Sequence, residues 1–149
     1  MLAQTHFFFA LALGYALRLP AKVAAIAGLL VDWDIIFYFT GLGFPFVHRG
    51  IFHTPIVFAI ALIAIYLLTK DTRITAAAAA GMFSHLFLDT LNPTGIMWLY
   101  PMPVYFSLNA VPYSDVLANG ALVAFSILAV LALDAPLRKR LDPRRLRPG

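Results

Sequence analysis

The 149-residue sequence contains no cysteine and no glutamate, and only 12% of its residues are charged. The lack of cysteine excludes a disulfide framework and any thiolate metal site, so a bound metal would have to be held by nitrogen and oxygen. A soluble domain usually carries about a quarter charged residues. Here 62% of the chain is hydrophobic, which leaves too little polar surface to cover a water-facing globule. The length fits one domain.

The charges present are unevenly placed. All seven acids are aspartates: Asp32, Asp34, Asp71, Asp89, Asp115, Asp134 and Asp142. Six of the eleven basic residues fall in the final dozen positions, as Arg138, Lys139, Arg140, Arg144, Arg145 and Arg147. The net charge of +4 therefore does not describe a nucleic-acid-binding face. It describes a basic tail suited to anionic lipid headgroups. Residues 1–137 read as a transmembrane domain, and 138–149 as a cytoplasmic basic tail.

Crossing the hydrocarbon core by helix takes about 20 apolar residues. Five stretches approach or reach that length, at about 2–17, 23–41, 51–69, 74–91 and 117–134. The expected fold is all-α, a polytopic membrane bundle of about five helices. The first stretch has no Lys or Arg before it and no convincing small-residue cleavage site, so it reads as a span and not as a signal peptide. Arg18, Lys22, Lys70, Arg73 and the six tail residues fall on one side of the bundle, against Arg49 alone on the other. The positive-inside rule then puts the N-terminus outside and the C-terminus in the cytoplasm of a multi-pass cell-membrane protein. The outer segment 92–116 lacks Lys and Arg and carries Trp98, Tyr100, Tyr105, Phe106 and Tyr113, with prolines that break any long helix. It reads as an interfacial lid or re-entrant loop, with Ser114 as an N-cap for the last helix. The small residues of Ala76 to Gly81 give the fourth helix a surface for close packing.

Ionisable groups inside a bilayer are costly and mark functional sites by default. Under this topology His6, Asp32, Asp34, His48, Arg49, His53, His85 and Asp89 all fall towards the outer half of the membrane. His85 and Asp89 are four residues apart, share a helix face and can grip one ion. Asn92 lies one turn further along that face. His48 and His53 flank Arg49-Gly50, a turn that lets both imidazoles point inward. Asp32 and Asp34 stand about 200° apart on a regular helix. Both reach one site only if the helix deforms, two metals bind, or one acid acts from behind the ligands. Asp71, Asp134 and Asp142 read as surface charges, and Asp115 as a partner for the N-terminus of the last helix. Thr5 and Thr54 read as hydrogen-bonding helix-end residues, and Arg49 has an alternative as the ion-pair partner of Asp32 or Asp34.

Four segments carry a family resemblance: Thr5-His6, Gly28 to Asp34, His48-Arg49-Gly50-Ile51-Phe52-His53-Thr54, and Ser84-His85-Leu86-Phe87-Leu88-Asp89. In this order they resemble the membrane-bound metal-dependent hydrolase family, also called LexA-binding inner-membrane-associated hydrolases. The likeness covers roughly the first 100 residues. It implies metal-site roles for His6, Asp32, Asp34, His48, His53, His85 and Asp89. The family usually has Pro before the first Asp and Ser after the His-Thr pair, where this chain has Val31 and Pro55.

A donor set of His and Asp suits Zn²⁺ first, with Mn²⁺ or Fe²⁺ as alternatives and one or two ions. Arg49 and Asp34 are the expected catalytic groups, Arg49 by gripping a phosphate. A site at headgroup depth points to membrane lipids and a lipid-linked or amphiphilic phosphoester substrate. The competing reading is a non-enzymatic membrane protein, either a metal-cation carrier or a bundle with a structural metal site. The nearly apolar cytoplasmic halves of helices one to four argue against a carrier.

Overall fold

The computed structural model describes residues 1–41, 43, 46 and 48–141; the side chains of Tyr38 and 135–141 fall outside that description. The charged groups of the expected tail 138–149 therefore lie outside the described residues. The described fold is helical, with no β-strand beyond an isolated antiparallel bridge between Ile96 and Phe106. Its helices are α1 (Ala3–Ala16), α2 (Ala21–Leu30), α3 (Ile36–Thr40), α4 (Pro55–Thr69), α5 (Thr72–Thr90) and α6 (Val116–Leu141). Two 3₁₀ segments, Val31–Ile35 and Ile51–His53, interrupt the regular helices.

Among the described residues one helix is long and apolar enough to cross a membrane: Val116–Asp134, 19 residues with mean hydropathy 2.4. The five expected spans are otherwise shorter or broken. α1 has 14 residues and α4 has 15. The stretch 23–41 is split where Val31–Ile35 tightens into a 3₁₀ helix before the short α3. α5 has 19 residues, but its outer half carries Ser84, His85 and Asp89.

The burial pattern is inverted relative to a soluble protein. Leu68, Phe39, Leu117 and Val116 are more than 70% exposed, whereas His6, Asp34, His53, His85, Asp89, Asn92 and Asn119 are buried. Large apolar side chains face outward and polar ones inward, the arrangement expected when lipid is the solvent.

Small residues set the close crossing at the centre. α1 packs on α2, α5 and α6, and α2 packs on α5. A Cβ at Gly81 would collide with the Ala24 carbonyl oxygen and lie 2.8 Å from the Gly28 nitrogen. A Cβ at Gly28 would lie 2.9 Å from the Ala10 Cβ. Missing side chains thus let α2 and α5 touch through their backbones. Asp71 caps α5 by accepting from the Arg73 and Ile74 amides at 2.7 and 3.2 Å. Pro55 stands at the first position of α4, where a missing N–H costs nothing. At α6 the cap is Asp115, which accepts from the Ala118 amide at 2.9 Å, and not the expected Ser114.

The outer segment is tied to the end of α5. The amides of Leu108 and Ala110 donate to the carbonyls of Thr90 and Leu91 at 2.7 and 2.8 Å. The Trp98 indole donates to Thr90 Oγ1 at 2.9 Å, and Ser107 Oγ to the Asn92 carbonyl at 2.7 Å. Gly95 adopts a positive φ of 61°, and a Cβ there would strike the Phe106 carbonyl.

Candidate metal centre

The α2–α5 crossing that Gly28 and Gly81 permit also orients the first histidine. His85 sits four residues after Gly81 on α5, and its Nδ1 donates to the Gly28 carbonyl at 2.7 Å. A carbonyl can only accept, so this nitrogen carries the ring proton and Nε2 is left as a bare lone pair. Nε2 then faces Asp32 Oδ1 at 3.3 Å and Asp89 Oδ2 at 3.4 Å, two more acceptors.

Asp34 orients two further histidines. Its Oδ1 accepts from His48 Nδ1 and its Oδ2 from His53 Nδ1, both at 2.8 Å. The Arg49 amide also donates to Oδ2, at 3.3 Å. The Nε2 atoms of both rings are thereby left without protons when the imidazoles are neutral. His53 Nε2 faces Asp32 Oδ1 at 3.4 Å and Asp89 Oδ2 at 3.8 Å. His48 Nε2 lies 3.9 Å from Asp32 Oδ1. The 3₁₀ turn explains how two acids two residues apart serve one cluster. At three residues per turn Asp34 aligns with buried Val31, whereas Asp32 aligns with exposed Ile35. The carboxylates thus approach the imidazoles from different sides, Asp34 at Nδ1 and Asp32 at Nε2. This is the helix deformation that the spacing required.

The donor set fits a cation. Four atoms with lone pairs and no proton between them, Asp32 Oδ1, His53 Nε2, His85 Nε2 and Asp89 Oδ2, lie close together around one point. The Nε2 atom of His85 and Oδ2 of Asp89 are buried without any hydrogen-bond partner. In a tetrahedral site with bonds of about 2.0–2.1 Å, the ligand atoms stand about 3.3–3.4 Å apart. Three of the four N···O separations here are 3.3–3.4 Å, and the fourth is 3.8 Å. A second grouping, Asp32, Asp34, His48 and His53, shares two of these residues. Its Asp34 contacts at 2.8 Å are hydrogen-bond lengths, shorter than the spacing between ligands of one ion.

His6 and Arg49 border this core. The His6 ring stacks on His85, with centroids 3.6 Å apart and planes 12° from parallel, and its Nε2 lies 3.4 Å from Asp89 Oδ1. Both His6 ring nitrogens are buried without hydrogen-bond partners. Arg49 does not pair with the side chain of Asp32 or Asp34, the two partners considered from sequence. Its guanidinium reaches Asp89 Oδ1 at 3.0 Å and donates to Thr94 Oγ1. The Met1 amino nitrogen also meets Asp89 Oδ1, at 2.8 Å. Arg49 itself adopts a left-handed φ of 66°, which turns its amide back towards Asp34.

One side of the cluster is open. His48 is 31% exposed and Asp32 24%, against 1% or less for His53, His85 and Asp89. Beside it lies a cavity of about 440 Å³ lined by Met1, Ile35, His48, Arg49, Thr94, Tyr105 and Tyr113.

Sequence reasoning missed Asn119 and Thr94. Asn119 is buried on α6 and spends its whole amide on three segments. Its Oδ1 accepts from Thr5 Oγ1 at 2.8 Å and the Leu2 amide at 3.2 Å, while Nδ2 donates to the carbonyls of Tyr113 and Asp115 at 3.3 and 2.8 Å. An asparagine inside an otherwise apolar span was the available signal. Thr94 accepts from Arg49 and donates to Asn92 Oδ1 at 2.9 Å, a link that no helical spacing announces.

An all-helical, lipid-facing fold with His and Asp groups able to bind a metal defines a class of membrane protein. The chain matches the YdjM inner membrane protein family over residues 1–141 and belongs to it. This agrees with the membrane-associated hydrolase family that the His-Arg-Gly-x-x-His and Ser-His-x-x-x-Asp segments resemble. No curated protein and no solved structure matches the chain significantly.

Proposed function

We propose that this chain is a multi-pass inner-membrane hydrolase that uses one divalent metal ion, with zinc as the first choice, to cleave an amphiphilic phosphoester at the outer face. The observation that carries the reading is the set of proton-free acceptor atoms of Asp32, His53, His85 and Asp89 beside an open cavity that contains Arg49. The five-span topology, with the N-terminus outside, rests on the charge asymmetry of the loops and the apolar outward faces of the helices.

Asp32, His53, His85 and Asp89 would hold the ion. When bound there, it supplies the Lewis acidity that makes water a nucleophile near neutral pH. Asp34 is then neither ligand nor catalytic group. Both its oxygens are committed to imidazole N–H groups, so it fixes ring tautomer and aim from behind the ligands. His6 braces His85 by stacking. His48, whose Nδ1 donates to Asp34, can take up a proton from an attacking water at its exposed Nε2. Arg49 presents its remaining N–H groups to the cavity and stabilises negative charge on the phosphoester oxygens. Ile35, Tyr105 and Tyr113 receive the apolar part of the substrate.

A structural metal site should be closed, whereas a hydrolytic one keeps an accessible position. The exposure of Asp32 and His48 supports the second. The test is turnover of a short-chain phosphodiester amphiphile in detergent micelles. Activity should vanish with a chelator and return with zinc. Arg49→Lys should retain metal and lower kcat more than it raises KM, because the planar two-point grip is lost while the charge stays. Metal-loaded wild-type protein inactive on every phosphomonoester and diester amphiphile tried would rule out the hydrolase.

A further inference from the structure

Granting the hydrolase reading, the charges around the cavity narrow the substrate further. Three carboxylates, Asp32, Asp34 and Asp89, stand in the cluster. Against them stand Arg49 and the Met1 amine, both already on Asp89 Oδ1. A ligating imidazole is neutral. With a divalent ion, the assembly carries a net positive charge of one at most. No other Lys or Arg lines the cavity among the described residues, and its remaining walls are Met1, Ile35, Thr94, Tyr105 and Tyr113. Arg49 is also partly spent, with one arm on Asp89 and another on Thr94, so it can neutralise one further charge but not two. An uncompensated charge at this depth is costly.

We infer that the site selects a singly charged phosphodiester amphiphile over doubly charged phosphomonoesters and pyrophosphates. Charge count decides the preference: one negative charge completes neutrality, and a second stays unpaired beside three carboxylates.

The probes are three ligands with one decyl tail: decylphosphonic acid, its monomethyl ester and its dimethyl ester. At alkaline pH they carry two, one and no negative charges. Binding to zinc-loaded protein in a neutral detergent should be tightest for the monomethyl ester. It should exceed each of the others by at least about tenfold, or about 1.4 kcal/mol. Arg49→Ala should erase the advantage of the monomethyl over the dimethyl ester. The acid binding as tightly as its monomethyl ester overturns the inference, and so does equal binding of the neutral and singly charged esters. Binding order and turnover are separate readouts. The predicted order in a protein that hydrolyses nothing would support the charge assignment and refute only catalysis. A lost order with intact metal-dependent turnover would refute only the charge assignment.

Discussion

Gly81→Ala asks whether backbone contact between α2 and α5 builds the metal centre. The new methyl would run into the Ala24 carbonyl and approach the Gly28 nitrogen to 2.8 Å. These are backbone atoms of a packed helix and cannot rotate away, so α5 must move. Overpacking of this kind costs about 1–3 kcal/mol. The shift also stretches the 2.7 Å bond from His85 Nδ1 to Gly28, and a buried donor left unpaired costs about 1–3 kcal/mol. Alanine recovers about 1 kcal/mol of helix propensity over glycine. The steric and hydrogen-bond losses win, with a net destabilisation of about 2 kcal/mol or more. Gly120→Ala on α6 is the control, since its Cβ meets nothing within 4 Å. Unfolding in mixed detergent and SDS micelles, followed by circular dichroism, gives the stabilities, and elemental analysis gives the metal. Gly81→Ala should unfold earlier and hold less metal, and Gly120→Ala should match wild type. A Gly81→Ala protein with the stability and metal content of the control would refute the reasoning.

Other substitutions separate the roles. Asp34→Asn should keep the protein folded but weaken metal affinity by about 10–100-fold, the usual effect of losing a partner behind a ligand; a metal dissociation constant unchanged in chelator competition would contradict its orienting role. Asn119→Leu removes the link between α1, Tyr113 and Asp115, and should raise KM for an amphiphilic substrate with little loss of metal. An unaltered KM would show that α6 does not position the cavity wall. Leu2→Cys or Ala110→Cys should react with an impermeant maleimide in intact cells and Thr72→Cys should not. Labelling at residue 72 from outside would reverse the orientation.

The residues of the cluster were legible because charge is so scarce in this chain. His6, Asp32, Asp34, His48, Arg49, His53, His85 and Asp89 all meet at one end of the fold, as their common depth implied. Their division of labour was not legible. On a regular helix Asp32 and Asp34 diverge, and only the 3₁₀ turn shows one behind the imidazoles and the other in front. Hydropathy also blurred helix length. The stretch 23–41 reads as one apolar run, but it breaks at Val31 where carboxylates turn inward to histidines far along the chain. Asn119 escaped notice because its partners, Leu2 and Tyr113, lie in other segments whose proximity only tertiary packing creates.

The central claim is that Asp32, His53, His85 and Asp89 bind a metal ion. The most direct measurement is elemental analysis of protein purified in mild detergent without added metal, beside His85→Ala and Asp32→Ala prepared identically. The account predicts one zinc, manganese or iron ion per wild-type chain, and a large loss in both variants while they still insert and stay helical. Wild-type protein free of transition metal across several preparations, or variants that keep the full complement, would contradict it.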